Sequence, residues 1–317
     1  MILVTRRPPS ENVTAEIDAR SDVRLWPEDR VMPREVLLDQ VRDATGLLCM
    51  LTDPVDRDLL EAAPDLRVVS TLSVGYDHVD VEACRERGIT VGHTPDVLTD
   101  AVADWVLTLL LASARRLPEA IDHVRDRQWR SWGPTLLVGR DLHDARVGIV
   151  GLGRVGQAVA RRLQGFDVDL LYHQRRRDAA AEQEHGARWV PLEELLVESD
   201  FVVLLAPLTP ETHRMIGPDQ LAAMRPTSYL LNAARGPLVD HEALHDALAS
   251  GSIAGAALDV TDPEPIPDDS PLLDLANCLV VPHLGSASVT ARARMAELAW
   301  ANLLAGLAGE EMPAPVG

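Results

Sequence analysis

Lysine is absent from this 317-residue chain: its 30 basic side chains are all arginine, set against 49 acidic ones. The formal net charge is −19. So acidic a surface repels phosphate backbones and anionic headgroups, which argues against nucleic acid or a membrane surface as partner. Cysteine is nearly absent too. Cys49, Cys84 and Cys278 are too far apart in sequence for a C-x-x-C motif, and a reduced, cytoplasmic compartment is the simplest expectation. Cys49, in the run LLCML, reads as a core thiol. No long apolar run exists: the richest stretch, 101–114, contains Asp104 and is too short to span a bilayer. The opening MILVTRRPP lacks the apolar run of a secretory signal. There is no fixed-period repeat, no low-complexity tract and no charge-rich tail.

What is present is regular alternation. Hydrophobic residues form 46% of the chain, enough for full cores, and the length suggests two domains. ILVT (2–5), VRLW (23–26), GLLCML (46–51), RVVSTL (67–72) and ITVGHT (89–94) read as strands. The stretches PREVLLDQVRDA, DRDLLEAA and VEACRERG carry helical spacing between them. A long helix should then start at a Thr99 or Asp100 cap and end or kink at Pro118. Its apolar residues cover more than one face, which predicts burial between domains or subunits. A second unit follows, with strands ARVGIV, VDLLYH, FVVLLA, TSYLLNA, AGAALDV and CLVVPH. The last helix, SVTARARMAELAWANLLAGL, is expected to cross back onto the first domain. Strands alternating with helices imply α/β architecture: two doubly wound parallel sheets, with an active cleft expected between them.

GLGRVG at 151–156 follows a predicted strand and opens a predicted helix, the context that turns G-x-G-x-x-G into a dinucleotide site. Gly151 permits the tight turn, Gly153 lets backbone approach a pyrophosphate, and Gly156 lets the helix pack on the strand. The N–H groups of the helix start, with Arg154 and Val155, would hold the diphosphate. The next strand ends Tyr172-His173-Gln174, followed by Arg175, Arg176 and Arg177. No carboxylate stands there to take a ribose 2′-hydroxyl, and guanidinium groups match a phosphate, so NADP is expected over NAD, with Gln174, Arg175 and Arg176 in contact.

Three segments following predicted strands carry reactive side chains: NAARGPLVD with Arg235, LDVTDPEP with Glu264, and LVVPHLGSA with His283. Together with LSVGYDHVD, VGHTPDVLTDAVAD, WRSWGP, VGIVGLGRVGQAVARRL and LTPETHRMIG, they give the chain its likeness. It resembles the D-isomer-specific 2-hydroxyacid dehydrogenase family over nearly its whole length, most of all the glyoxylate/hydroxypyruvate reductase branch. The chemistry agrees with these residues. Reducing a carbonyl requires a proton donor, for which a histidine beside a carboxylate is suited, and an arginine can bind a 2-keto acid's carboxylate and polarise its carbonyl. His283 is thus expected as general acid, Glu264 as its partner, and Arg235 as substrate binder; no metal is called for.

The resemblance implies more. A flavodoxin-like substrate domain (1–96 and 284–317) should accompany a Rossmann dinucleotide domain (97–283). Backbone N–H groups of Val74 and Gly75, in the turn from Ser73, should hold the substrate carboxylate, and Asp259 should orient the arginine or tune the site. Thr99, Pro207, Ala233 and Gly285 should line the nicotinamide half of the cofactor pocket, and Asn232 should brace the arginine loop. The branch implies a homodimer in which Trp132, beside Trp129, limits substrate size in the partner's site. D-3-phosphoglycerate and D-lactate dehydrogenases stay open as alternatives, as does a dinucleotide-sensing, corepressor-like protein. Pro282 before His283 argues against a formate dehydrogenase.

Overall fold

A computed structural model of the chain describes residues 1–316. They divide into two compact units: Met1–Leu98 with the C-terminal segment from Ala287, and Thr99–Ser286.

The first unit is built on β1 (Ile2–Val4), β2 (Val23–Leu25), β3 (Gly46–Cys49), β4 (Val68–Thr71) and β5 (Thr90–Gly92), with α1 (Glu11–Ala19), α2 (Arg34–Gln40), α3 (Arg57–Ala62) and α4 (Val81–Glu86) between them. The strands are parallel in the order β2-β1-β3-β4-β5. That is the flavodoxin-like doubly wound order. β3 and β4 are buried along their whole length, which is why they read as continuous apolar runs rather than alternating ones. Asp56 and Asp80 cap α3 and α4 by accepting backbone N–H bonds. The C-terminal helix, Val289–Ala308, is capped by Ser288 and packs on β3, β4, β5 and α1. In this unit one helix escaped the sequence reading: α1 has only Val13 and Ile17 buried, too sparse an apolar pattern to register.

The second unit holds β6 (Arg146–Val150), β7 (Asp169–His173), β8 (Arg188–Trp189), β9 (Phe201–Leu204), β10 (Tyr229–Asn232), β11 (Gly255–Leu258) and β12 (Cys278–Val280). Its helices are α5 (Thr99–Ala114), α6 (Leu117–Arg125), α7 (Arg154–Leu163), α8 (Ala179–His185), α9 (Leu192–Glu198), α10 (Pro218–Ala223) and α11 (His241–Ala249). All seven strands are parallel, in the order β12-β11-β10-β9-β6-β7-β8. The order reverses between β6 and β9, the switch point at which doubly wound sheets bind ligands. β8 is two residues long, below what a sequence pattern can signal.

The long helix departs from expectation in two ways. It ends at Ala114, Arg116 turns through the left-handed region (φ 53°), and Pro118 sits in the first turn of a new helix, α6. Proline is tolerated there because first-turn N–H groups have no helical partner. α5 also buries Val102, Val106, Leu109 and Leu110 within its own unit, against α7, β10 and β11. No helix among the described residues is long and apolar enough to cross a membrane. All three cysteines are free, and burial pushes their thiols up, Cys84 to about 11 and Cys278 to about 12, so none is a ready thiolate.

Candidate active site

The carboxyl ends of β6, β7, β9, β10, β11 and β12 lie along one edge of the second sheet, because parallel strands end on the same side. Every residue expected in the chemistry of this unit, apart from Thr99 and Trp132, follows one of those ends.

The glycine loop after β6 divides its three tasks visibly. Gly151 has φ 101°, and a Cβ there would lie 2.8 Å from the Ala206 nitrogen at the end of β9. A Cβ on Gly156 would fall 2.3 Å from the Gly151 carbonyl oxygen, so α7 can close on the turn only with hydrogen at that position. Gly153, the N-cap of α7, meets nothing within 4 Å. Its open side, beside the first turn of α7, is a cradle suited to a diphosphate. The residues present therefore fit a dinucleotide.

The tip of β7 is tied to that loop. Gln174 Oε1 accepts from the Leu152 N–H at 3.1 Å, and its Nε2 donates to the Arg176 carbonyl at 2.8 Å. Gln174 thus links the glycine turn to the arginine turn. Arg175 and Arg176 are exposed. Arg177 is not available in the same way: its guanidinium pairs twice with Glu182, both contacts at 2.7 Å, and Tyr172 donates to the same carboxylate. Arg177 and Tyr172 hold the Glu182 carboxyl below the usual carboxylate range. Pro207, after β9, is exposed, and its carbonyl accepts the Thr212 hydroxyl within the LTPET turn at 2.7 Å.

His283 and Glu264 meet directly, Nδ1 to Oε1, at 2.6 Å. A hydrogen bond that short to a carboxylate fixes the ring and leaves Nε2 to face reacting atoms. His283 also has φ 52°, an uncommon conformation for a side-chain-bearing residue, and its N–H donates to the Asp259 carbonyl at 2.9 Å. The Asp259 carboxylate completes the hold. It is 2% exposed, and it accepts from Trp105 Nε1 (2.9 Å), the Leu284 N–H (2.7 Å) and the Gly285 N–H (2.9 Å). Asp259, expected to orient the arginine or tune the site, lies beneath the surface and holds the turn that carries His283. Trp105 was not anticipated; the signal was there, since a buried indole N–H needs an acceptor.

Arg235 follows β10 and precedes a 3-10 turn, Gly236–Leu238. Asn232, fully buried, accepts from the Ala234 N–H at 3.1 Å and donates to the Arg235 carbonyl at 2.9 Å, bracing the loop as the sequence suggested. Gly236 was missed. A Cβ there would lie 1.9 Å from the Thr261 carbonyl oxygen. The arginine loop and the Glu264 loop are therefore in backbone contact, and glycine is what permits it. Ala233 and Thr99 are half-buried, and Gly285 is buried. No group of three or more His, Cys, Asp or Glu side chains among the described residues is arranged to hold a metal ion.

In the first unit, the turn at Ser73–Gly75 is pinned by its carbonyls. Ser73 Oγ donates to the Gly75 carbonyl (2.6 Å) and His93 Nδ1 to the Val74 carbonyl (2.9 Å). The N–H groups of Val74 and Gly75 have no hydrogen-bond partner among the described residues. In the second unit, Trp132 is 81% exposed and Trp129 61%.

Comparison with known proteins places the chain in one family. The family D-isomer specific 2-hydroxyacid dehydrogenase, NAD binding domain, matches residues 107–285. The chain is 49% identical over 316 residues to a glyoxylate reductase of Thermococcus gammatolerans, covering 98% of this chain and 94% of that one. It is 48% identical over 315 residues to the glyoxylate reductase/hydroxypyruvate reductase of Mus musculus, covering 98% and 96%. Among solved structures it resembles an NADPH-dependent glyoxylate/hydroxypyruvate reductase from Sinorhizobium meliloti in complex with NADP and malonate, with a TM-score of 0.86, 35% identity and coverage of 100% and 96%.

Proposed function

The chain belongs to the D-isomer-specific 2-hydroxyacid dehydrogenase family, and from that premise we propose that it reduces small 2-keto acids, glyoxylate and hydroxypyruvate, to their 2-hydroxy acids with NADPH. The observation that carries the reading is the 2.6 Å pair of His283 and Glu264, set on the same sheet edge as Arg235 and the glycine loop. The full-length likeness to glyoxylate reductases supports the substrate class.

Gly153 and the first turn of α7 hold the cofactor's diphosphate, and reduced nicotinamide supplies a hydride when bound. Arg235 binds the keto acid's carboxylate and polarises the carbonyl as negative charge grows on its oxygen. Protonated His283 delivers its Nε2 proton to that oxygen, and Glu264 stabilises the imidazolium before transfer. In the oxidation direction His283 takes the proton back. The free N–H groups of Val74 and Gly75 are suited to a carboxylate and give the first unit a substrate-binding role.

NADP rests on the tip of β7: no carboxylate stands there, and Arg175 and Arg176 are exposed while Arg177 is engaged by Glu182. The homodimer rests on an uncovered apolar surface in the second unit. Leu117, Ile121 and Val124 form one stripe of α6, and Trp129, Trp132 and Val138 follow in the next segment of the chain; all six are exposed. An exposed apolar helix face with exposed tryptophans close behind it in the chain is suited to an interface. We assign Trp132 to that interface, where it limits substrate size in the partner's site.

The test follows absorbance at the reduced-nicotinamide band with glyoxylate or hydroxypyruvate, using NADPH and NADH in parallel. Oxidation much faster with NADPH is expected. Activity with NADH alone would keep the reductase and overturn the NADP assignment, and no oxidation with either would overturn the substrate class.

A further inference from the structure

The loop that presents Glu264 runs from Thr261 through Asp262 and Pro263, and the Thr261 hydroxyl donates to the Pro263 carbonyl at 2.8 Å. Gly236 packs against one side of it. His241, the first residue of α11, meets it from another direction. Its Nδ1 accepts a long hydrogen bond from the Asp262 N–H, at 3.4 Å, which is that N–H group's sole acceptor among the described residues. Its Nε2 is buried with no partner among the described residues. A ring nitrogen can accept only while it carries no proton, so this contact calls for a neutral His241 with its hydrogen on Nε2.

The geometry points to His241 as a positioning residue for the acid–base pair: its neutral ring props the Glu264 loop, and protonation of Nδ1 sets one N–H against another and releases that prop. The charged groups around the ring are Asp240 at the start of its own helix, Asp262 on the loop and Arg214 from the turn before α10. Burial is the largest influence and holds His241 below the usual imidazole range; the Asp262 carboxylate, the Asp262 backbone and the Asp240 carboxylate favour a proton on the ring, and Arg214 opposes it. The neutral form therefore persists into mild acid. Two residues beyond Asp262, Glu264 orients His283, so the prop acts on the proton donor through the loop.

The consequence for turnover rests on the reductase reading; the consequence for the His283–Glu264 contact does not, and the experiment separates them. Protein labelled with ¹⁵N-histidine is followed by long-range ¹H–¹⁵N correlation against pH, as wild type, His241→Asn and His241→Leu. Asparagine keeps an acceptor near the Nδ1 position and does not titrate; leucine has none. In wild type, Nδ1 of His241 is expected unprotonated, with a titration midpoint below 6.5. The downfield proton of the His283–Glu264 contact should survive in His241→Asn and move or broaden in His241→Leu. With glyoxylate and NADPH, His241→Leu should lose about tenfold in kcat with little change in KM for NADPH, as for a slightly misplaced catalytic group. His241→Asn should recover most of that loss and should lack the acid limb of the wild-type kcat profile. A proton on Nδ1 of His241 in the wild type, an unmoved His283 signal in His241→Leu, or an acid limb persisting in His241→Asn would each overturn the proposal. If His241→Leu does not fold, the wild-type tautomer and the asparagine variant still decide. Absence of any wild-type turnover would overturn the reductase reading while the spectroscopic arm still decides this one.

Discussion

The glycine loop and the catalytic corner lie on one sheet edge but are built on opposite principles. The loop is made almost wholly of backbone, and the contact that closes it, Gly156 on the Gly151 carbonyl, joins residues five positions apart. A Cβ at Gly156 would strike the Gly151 carbonyl, while Gly153 faces open space. The corner is made of side chains held by other side chains from remote segments. Asp259 takes a hydrogen bond from Trp105, 154 positions earlier in the chain, and fixes the turn of His283. Local backbone geometry suits a ligand common to many enzymes; a long-range side-chain network suits one reaction. The comparison teaches that binding and chemistry have separable points of failure in this unit.

The sharpest way to break that contrast is at its chemical end. His283→Ala should lower turnover by about two to four orders of magnitude, as expected for lost acid–base catalysis, while leaving the cofactor's affinity nearly intact. Steady-state kinetics and cofactor titration check both halves, and near-normal turnover would sink the assignment. Next in size is Gly236→Ala. Its Cβ would drive the Arg235 and Glu264 loops apart, so urea unfolding should show a loss of about 1–3 kcal/mol and kcat should fall with it. Retained stability and retained kcat would mean that the two loops are not coupled.

Within the glycine loop, Gly156→Ala and Gly153→Ala should separate cleanly. The first should destabilise the fold, because α7 must move off the turn. The second should leave the unfolding midpoint almost unchanged and weaken NADPH binding, because its side chain occupies the diphosphate's side. Equal effects of the two on stability would erase the distinction. At the tip of β7, Arg175→Ala with Arg176→Ala should raise KM for NADPH by roughly tenfold, about 1.4 kcal/mol of lost phosphate contact, and leave NADH alone. Arg177→Ala should do much less, since Glu182 already engages that guanidinium.

The smallest expected effect is linkage at His241. Its native pKa lies below the ordinary 6.5, so the unfolded chain binds more protons in the window between the two values. Stability should therefore be complete above about 6.5 and decline as pH falls below it. Urea midpoints measured across that range should slope in wild type and flatten in His241→Asn.

Much of this was legible in the sequence, and for a common reason. The strands, the glycine loop, the missing carboxylate at the tip of β7 and the carriers of Arg235, Glu264 and His283 are local patterns: an apolar run, a fixed spacing, a residue just past a strand. Where the reading failed, the missing information was not local. Pro118 looked like a helix end, but the chain had already turned at Arg116 and the proline opened α6. The run of three arginines looked uniform, but Glu182 lies close enough to take one of them. Asp259 looked like a brace for the arginine, yet its carboxylate is buried and holds the histidine turn.

The sequence by itself determined two parallel-sheet α/β units, a dinucleotide loop and the identity of the reacting side chains, because hydrophobic periodicity and glycine geometry act over a few residues. Only the tertiary structure decided which residues hold those side chains in place. Trp105 on Asp259, Gly236 on Thr261 and His241 on Asp262 are contacts between segments that meet because the strands are parallel, and no spacing along the chain encodes them.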